Sequence, residues 1–177
     1  TARFTLRTAG AVCKGGIAVG SAYFHNNVGL DKQINLDLLH HIAAILARLK
    51  TPWVIGADWQ GTAEELQATG WLEMVGGIAV RPQAITCNKR TIDYFVVSSN
   101  LVPYVVGAFN IGDSMLPTHS AVRLIIGEKP RDDGVRCIKT PSSHAADLPA
   151  GQLGVVVGVV LGPRPLHAVA LGEVDEV

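Results

Sequence analysis

What the sequence has little of narrows the reading first. It has no surplus charge: 15 basic residues balance 15 acidic ones, and the sequence pI is about 7.0. Strong non-specific binding to nucleic acid rests on phosphate neutralisation and counterion release, so neutrality argues against that mode and leaves room only for a local basic groove. Cysteine is scarce and widely spaced, as Cys13, Cys87 and Cys137, with no C-x-x-C pair. That argues against a paired-cysteine structural zinc site. The odd count favours free, mostly buried thiols over a disulfide framework, and with them a reducing, intracellular compartment. No signal-peptide pattern is visible and no initiator Met. The chain opens inside what reads as a strand, as expected of a processed product, an isolated domain or part of a longer polypeptide. The apolar run Leu153 to Leu161 is nine residues long, too short to cross a bilayer as a helix. No internal repeat is present.

What remains is a chain of 177 residues, 48% hydrophobic and 17% charged, enough for one domain with a sizeable core. Arg3 to Thr8 alternates, and Ile17 to Phe24 is apolar. With the turn signal Gly15-Gly16 between them they predict a hairpin, followed by the polar loop His25-Asn26-Asn27. Asp31 is placed to cap a helix, along which Leu38, Leu39, Ile42, Ile45, Leu46 and Leu49 form one apolar stripe up to Pro52. Trp53 to Ala57 predicts a short buried strand. Thr62 is placed to cap a second helix over 63–68, with Glu64 and Glu65 in its first turn and Gly70 closing it. Short strands are expected around Gly76-Gly77 and Pro82. Thr91 to Ser98, Val102 to Ala108 and Ser120 to Ile126 predict further strands. Strands with one strong helix between them point to a layered α/β arrangement.

The composition changes after Gly127. Pro130, Pro141, Pro149, Pro163 and Pro165 are five of the nine prolines. The expected division is a core over 1–127 and a Pro/Gly-rich segment over 128–177. The Leu153 to Leu161 run is either an added edge strand or a segment buried by a partner.

Three polar residues stand at the mouths of the predicted strands: Asp58 in Gly56-Ala57-Asp58-Trp59-Gln60, Asp93 in Thr91-Ile92-Asp93-Tyr94-Phe95, and His119 in Pro117-Thr118-His119-Ser120. Such a position holds a side chain rigidly and still lets it reach solvent. Two carboxylates and an imidazole there could assemble a phosphodiester-cleaving site. The plainer alternatives are a turn cap at Asp58, a structural buried pair at Asp93 and His119, and a core role for Tyr23. His40 and His41 adjoin the apolar stripe, His144 and His167 lack ligand spacing, and Lys89-Arg90 is a commonplace basic pair.

With Ser21-Ala22-Tyr23-Phe24-His25-Asn26 and the long helix added, these motifs resemble the endonuclease/exonuclease/phosphatase superfamily from about residue 3 to 126. The nearest flavours are non-LTR retrotransposon and abasic-site endonucleases. The resemblance implies a partial β-sandwich with flanking helices, the second half of a DNase-type four-layer α/β sandwich. It implies Mg²⁺-dependent hydrolysis of phosphodiesters in nucleic acid or another phosphoester. Asp58 would orient or deprotonate water, Gln60 would stand where the family has Asn, and His119 would stabilise the phosphate. Asp93 would hold the other nitrogen of His119 and keep the ring protonated. Tyr23 would offer a phenol, while Asn26 and His25 would contact substrate. Thr118 replaces a metal-assisting aspartate, and a hydroxyl is a much poorer Mg²⁺ ligand than a carboxylate. The family's main Mg²⁺ ligand is a glutamate of the first half, which this sequence does not supply, so no metal ligand is assigned and metal binding is expected to be weak or absent. The expectation is a degenerate, weakly active or inactive endonuclease-like domain. Its rival is a non-enzymatic structural or interaction subunit of a larger assembly, held to protein partners by the sheet face that a missing half would cover.

Overall fold

The structure, a computed structural model, describes residues 3–10, 15–112, 118–127 and 154–159. β1 (Phe4–Ala9) and β2 (Ile17–Tyr23) form the expected antiparallel hairpin, in register from Phe4 against Ala22 to Ala9 against Ile17. The chain then crosses through helix α1 (Gln33–Leu46) to β3 (Trp53–Asp58), which lies parallel to β2. Parallel neighbours require such a crossover. After α2 (Ala63–Ala68) and α3 (Trp71–Val75), β4 (Gly77–Val80) and β5 (Asp93–Ser98) complete a five-stranded sheet in the order β1-β2-β3-β5-β4. A 3₁₀ turn over Ser99–Tyr104 leads to β6 (Val105–Asn110), β7 (Val122–Gly127) and β8 (Gly154–Val159), a three-stranded antiparallel sheet.

Two apolar clusters stack these layers. On one face of the first sheet, Leu39, Ile42 and Leu46 of α1, Leu66 of α2 and Trp71 and Leu72 of α3 pack on Ile55, Ala57 and Val96. Phe24, Trp59 and Tyr94 stack within this cluster, with ring centroids 5.0 and 5.4 Å apart. On the other face, Val54, Phe95 and Val97 pack against Ala108, Val122, Leu124 and Ile126 of the second sheet. The described residues therefore form helices, sheet and sheet in three layers, a partial α/β sandwich. The run Leu153 to Leu161 supplies β8, the edge-strand alternative of the two open in the sequence. The remainder of 128–177, with Cys137, His144 and His167, lies outside the described residues, as does Cys13.

Several local expectations shift. The N-cap of α1 is Lys32, not Asp31, and no side chain caps it. Asp31 instead ion-pairs with Lys32 at 2.9 Å. Thr62 does cap α2: its hydroxyl accepts from Glu65 N, and Glu65 accepts from Thr62 N, a complete capping box. α3 interrupts a stretch expected to hold only strands, bracketed by Gly70 and Gly76 at φ 73° and 61°, the left-handed region glycine adopts freely. The expected strand from Val102 begins at Val105, because Pro103 sits inside the 3₁₀ turn. No described helix is long and apolar enough to cross a membrane.

Candidate active site

β3 runs apolar to its end, and its last residue is Asp58, only 4% exposed. Across the antiparallel β3–β5 pair, Asp58 is the register partner of Asp93, the first residue of β5 and fully buried. Two acidic side chains thus face each other at the ends of two interior strands of a sheet covered on both faces. His119 reaches them from the segment before β7, and its Nδ1 lies 2.9 Å from Asp93 Oδ2. Asp58, Asp93 and His119 each offer a ligand atom within 4.8 Å of the others, a group able to hold a metal ion.

The surroundings fix these groups. Trp59 N donates to Ile92 O at 2.9 Å, and Trp59 Nε1 to Tyr94 O at 3.1 Å, locking the turn that follows Asp58. Gln60 sits at φ 55°, a left-handed conformation that asparagine tolerates better than glutamine. Its backbone N and Nε2 donate to Asp58 Oδ1 and Oδ2 at 3.1 and 2.6 Å. The Gln60 side-chain amide is thus folded back onto the aspartate. Thr118, where the resemblance implies a carboxylate, is exposed.

Burial raises the Asp58 carboxyl to about 6. The Asp93 charge adds to that, and the Gln60 hydrogen bonds and His119 oppose it. Asp93 is also raised, by burial first, against the hydrogen bond from His119. Its Oδ1 is buried without a hydrogen-bond partner.

Tyr23 ends β2 in register with Asp58, and its ring lies 5.5 Å from the Arg3 guanidinium carbon. His25 and Asn26 lie in the next loop. Asn26 is exposed, and His25 is tied through its backbone to the side chain of fully buried Asn35, whose amide donates to His25 O at 3.1 Å and Gly29 O at 2.8 Å and accepts from His25 N at 2.9 Å. Partial burial and Arg3 lower the His25 pKa.

Three residues here were not singled out from sequence. Asn35 orders the 25–29 loop from inside a helix. Thr86 is buried, and its hydroxyl accepts from Ile92 N and Asp93 N at 3.0 Å each, holding the start of β5. Cys87, free and half-buried, places Sγ 3.4 Å from His119 Nε2. An isolated β-bridge between Cys87 and His119, and Ser120 N donating to Thr86 O at 2.7 Å, stitch the two segments together. Burial, then the Asp93 and Asp58 charges, raise the Cys87 thiol. The sequence signal for Thr86 and Cys87 was only their place before the turn that enters β5.

No family model and no curated protein matches the sequence. Solved structures do. The endonuclease domain of TRAS1, a telomere-specific non-LTR retrotransposon, superposes with a TM-score of 0.53 at 14% identity, over 68% of this chain and 61% of that one. AP endonuclease LMAP from Leishmania major gives 0.47 at 15% identity, over 63% and 50%. CdtB, the biologically active subunit of cytolethal distending toxin, gives 0.47 at 16%, over 60% and 46%. The chain thus spans less than two thirds of the length of each of these domains. At 14% identity the likeness to the TRAS1 domain is one of fold.

Proposed function

We propose that this chain, whose fold is that of the endonuclease/exonuclease/phosphatase domains, is a nuclease-like phosphodiester hydrolase of low turnover on its own. The observation that carries this reading is the meeting of Asp58, Asp93 and His119 at the ends of two interior strands. With its carboxyl raised to about 6, Asp58 is ionised at neutral pH and still basic enough to take a proton from an attacking water. Asp93 orients His119 through Nδ1. The ring is suited to stabilise charge developing on a phosphoryl oxygen. Three features lower turnover: Gln60 engages Asp58, Thr118 offers only an exposed hydroxyl, and the Cys87 thiol adjoins the outer nitrogen of His119.

A divalent cation, when bound, would neutralise phosphate charge and activate the leaving oxygen, and the family resemblance makes that cation magnesium. The residues suit magnesium poorly. It seeks near-octahedral oxygen ligands, yet both Asp58 oxygens already accept from Gln60, Asp93 Oδ2 pairs with His119, and the next neighbour is a thiol.

Nicking of supercoiled plasmid with Mg²⁺ tests the reading, beside an Asp58→Ala control. Activity lost in the variant supports it; equal traces in both preparations mean contamination and sink it.

A second reading, a non-enzymatic subunit held to protein partners, is favoured by one observation. The outer face of the second sheet presents Val106 at 63% and Phe109 at 48% exposure. Sizing chromatography over a concentration series checks it, and a persistent monomer counts against it.

A further inference from the structure

We propose that β8 is a self-pairing edge: two copies of this chain join antiparallel along Gly154–Val159, about a twofold axis at Val156, and make one continuous sheet of their two three-stranded ones. The argument begins with the edges of the two sheets. The strand orders β1-β2-β3-β5-β4 and β6-β7-β8 leave β1, β4, β6 and β8 each with a single neighbour among the described residues. An open edge is a row of unpaired backbone N–H and C=O groups, and proteins guard it with charge, proline, shortness or a bulge. β1 carries the exposed Arg7. β4 is four residues long and runs into Arg81-Pro82. β6 follows Pro103 and shifts register between Val105 and Gly107. β8 has no charge, no proline and no bulge.

The second step is sequence. β8 reads Gly-Val-Val-Val-Gly-Val, and neither a charged residue nor a proline occurs from Gly151 to Gly162. Valine favours the extended strand, and an uncharged, β-prone segment without proline invites a further strand beside it. The order of these residues identifies the partner. Gly154 to Gly158 reads the same in both directions. Antiparallel pairing about Val156 sets Gly154 opposite Gly158 of the other copy, Val155 opposite Val157, and Val156 opposite its own counterpart. A shift of one or two residues either way puts valine opposite glycine. Cross-strand pairs of side chains stabilise a ladder, so one register is singled out. Such a joint is isologous, the same strand serving both sides.

The third step is charge and presentation. The chain is formally neutral, so two copies meet without net repulsion. The first charges outside the run are Asp147 before it and Arg164 after it, opposite signs that antiparallel pairing brings to the same end of the joint. On its inner side β8 pairs with β7 in unbroken register, from Val122 against Val159 to Gly127 against Gly154. The joint runs along the sheet edge, apart from the outer face that carries Val106 and Phe109 and from the carboxylates at the ends of β3 and β5. It therefore stands whether or not the chain cuts phosphodiesters.

Light scattering on the full chain, with its cysteines reduced, provides the test over a dilution series. The expected mass is that of a dimer at high concentration, falling to the monomer on dilution. Val156→Lys and Val156→Glu each set like charges opposite one another across the axis, and each should leave monomer throughout. Mixing the two variants should restore the dimer, because the opposed charges then attract. Hydrogen exchange of the unsubstituted chain asks nothing of a variant's folding: amides within 151–162 should gain protection as concentration rises. A wild-type chain that stays monomeric at every concentration overturns the proposal, as does a dimer with unchanged exchange over 151–162. A dimer that survives Val156→Lys overturns it too, and if Phe109→Ser then abolishes that dimer, the contact belongs to the outer face.

Discussion

β3 and β5 of the first sheet are buried at every position, whereas β6 and β7 of the second alternate between inward and outward residues. The cause is coverage. Helices lie on one face of the first sheet and the second sheet on the other, while the second sheet is packed on one face only among the described residues. A strand buried on both sides can place polar groups only at its ends, and Asp58 and Asp93 stand at two such ends, facing each other. A strand open on one side tolerates polar and apolar residues alike, as Arg123, Val106 and Phe109 show. The two candidate carboxylates are therefore mounted on the doubly covered sheet, His119 comes to them from the segment before β7, and the sheet open on one side carries the candidate contact surface.

Four substitutions test that contrast. The largest effect is expected for Phe95→Ala, between the two sheets, with a loss of about 3–5 kcal/mol in urea denaturation; a loss below about 1 kcal/mol would mean that the sheets are not tightly joined there. Next is Asp58→Asn. A carboxyl raised from 3.8 to about 6 on folding contributes stability that is fully present below about pH 4 and is lost as pH rises through about 6. The amide variant should therefore be more stable than wild type at pH 8, by about 1–3 kcal/mol, and the gap should close towards pH 4. Melting curves across that range check both sign and window. On the helical side, Thr62→Ala breaks the capping box of α2 and should cost about 1 kcal/mol, measured by the same denaturation. The smallest effect belongs to the open face: Phe109→Ser should stay within about 0.5 kcal/mol. A large loss there would show that this face is packed, and would erase the contrast.

Much of this was legible because local patterns and tertiary demands agree. The unbroken apolar run before Asp58 suits only a strand covered on both faces, and the Thr62 to Glu65 spacing specifies its own cap. α3 was not legible: Trp71–Val75 is too short for a 3.6-residue period to emerge, and between its two glycines it passes for part of a stretch of short strands. At the start of α1 the capping preference of Asp31 was overridden, since the chain enters the helix one residue later and Asp31 pairs with Lys32. At the candidate site, the convergence of Asp58, Asp93 and His119 followed from the resemblance together with strand ends. The thiol at His119 did not, because a contact between residues 32 positions apart leaves no trace in spacing. The inward turn of Gln60 was hidden for another reason: a backbone dihedral decides it.

The order in which the site can form has a consequence during synthesis. Asp58 and Asp93 become neighbours as soon as β5 pairs with β3, while the imidazole that donates to Asp93 lies 26 residues further along. Until then Gln60 already donates to Asp58 but Asp93 lacks its imidazole partner, and like charges so placed favour holding a proton. Docking of the segment before β7 supplies that partner, so the pairing of the two sheets and the charge balance of the two strand ends are completed by the same contact.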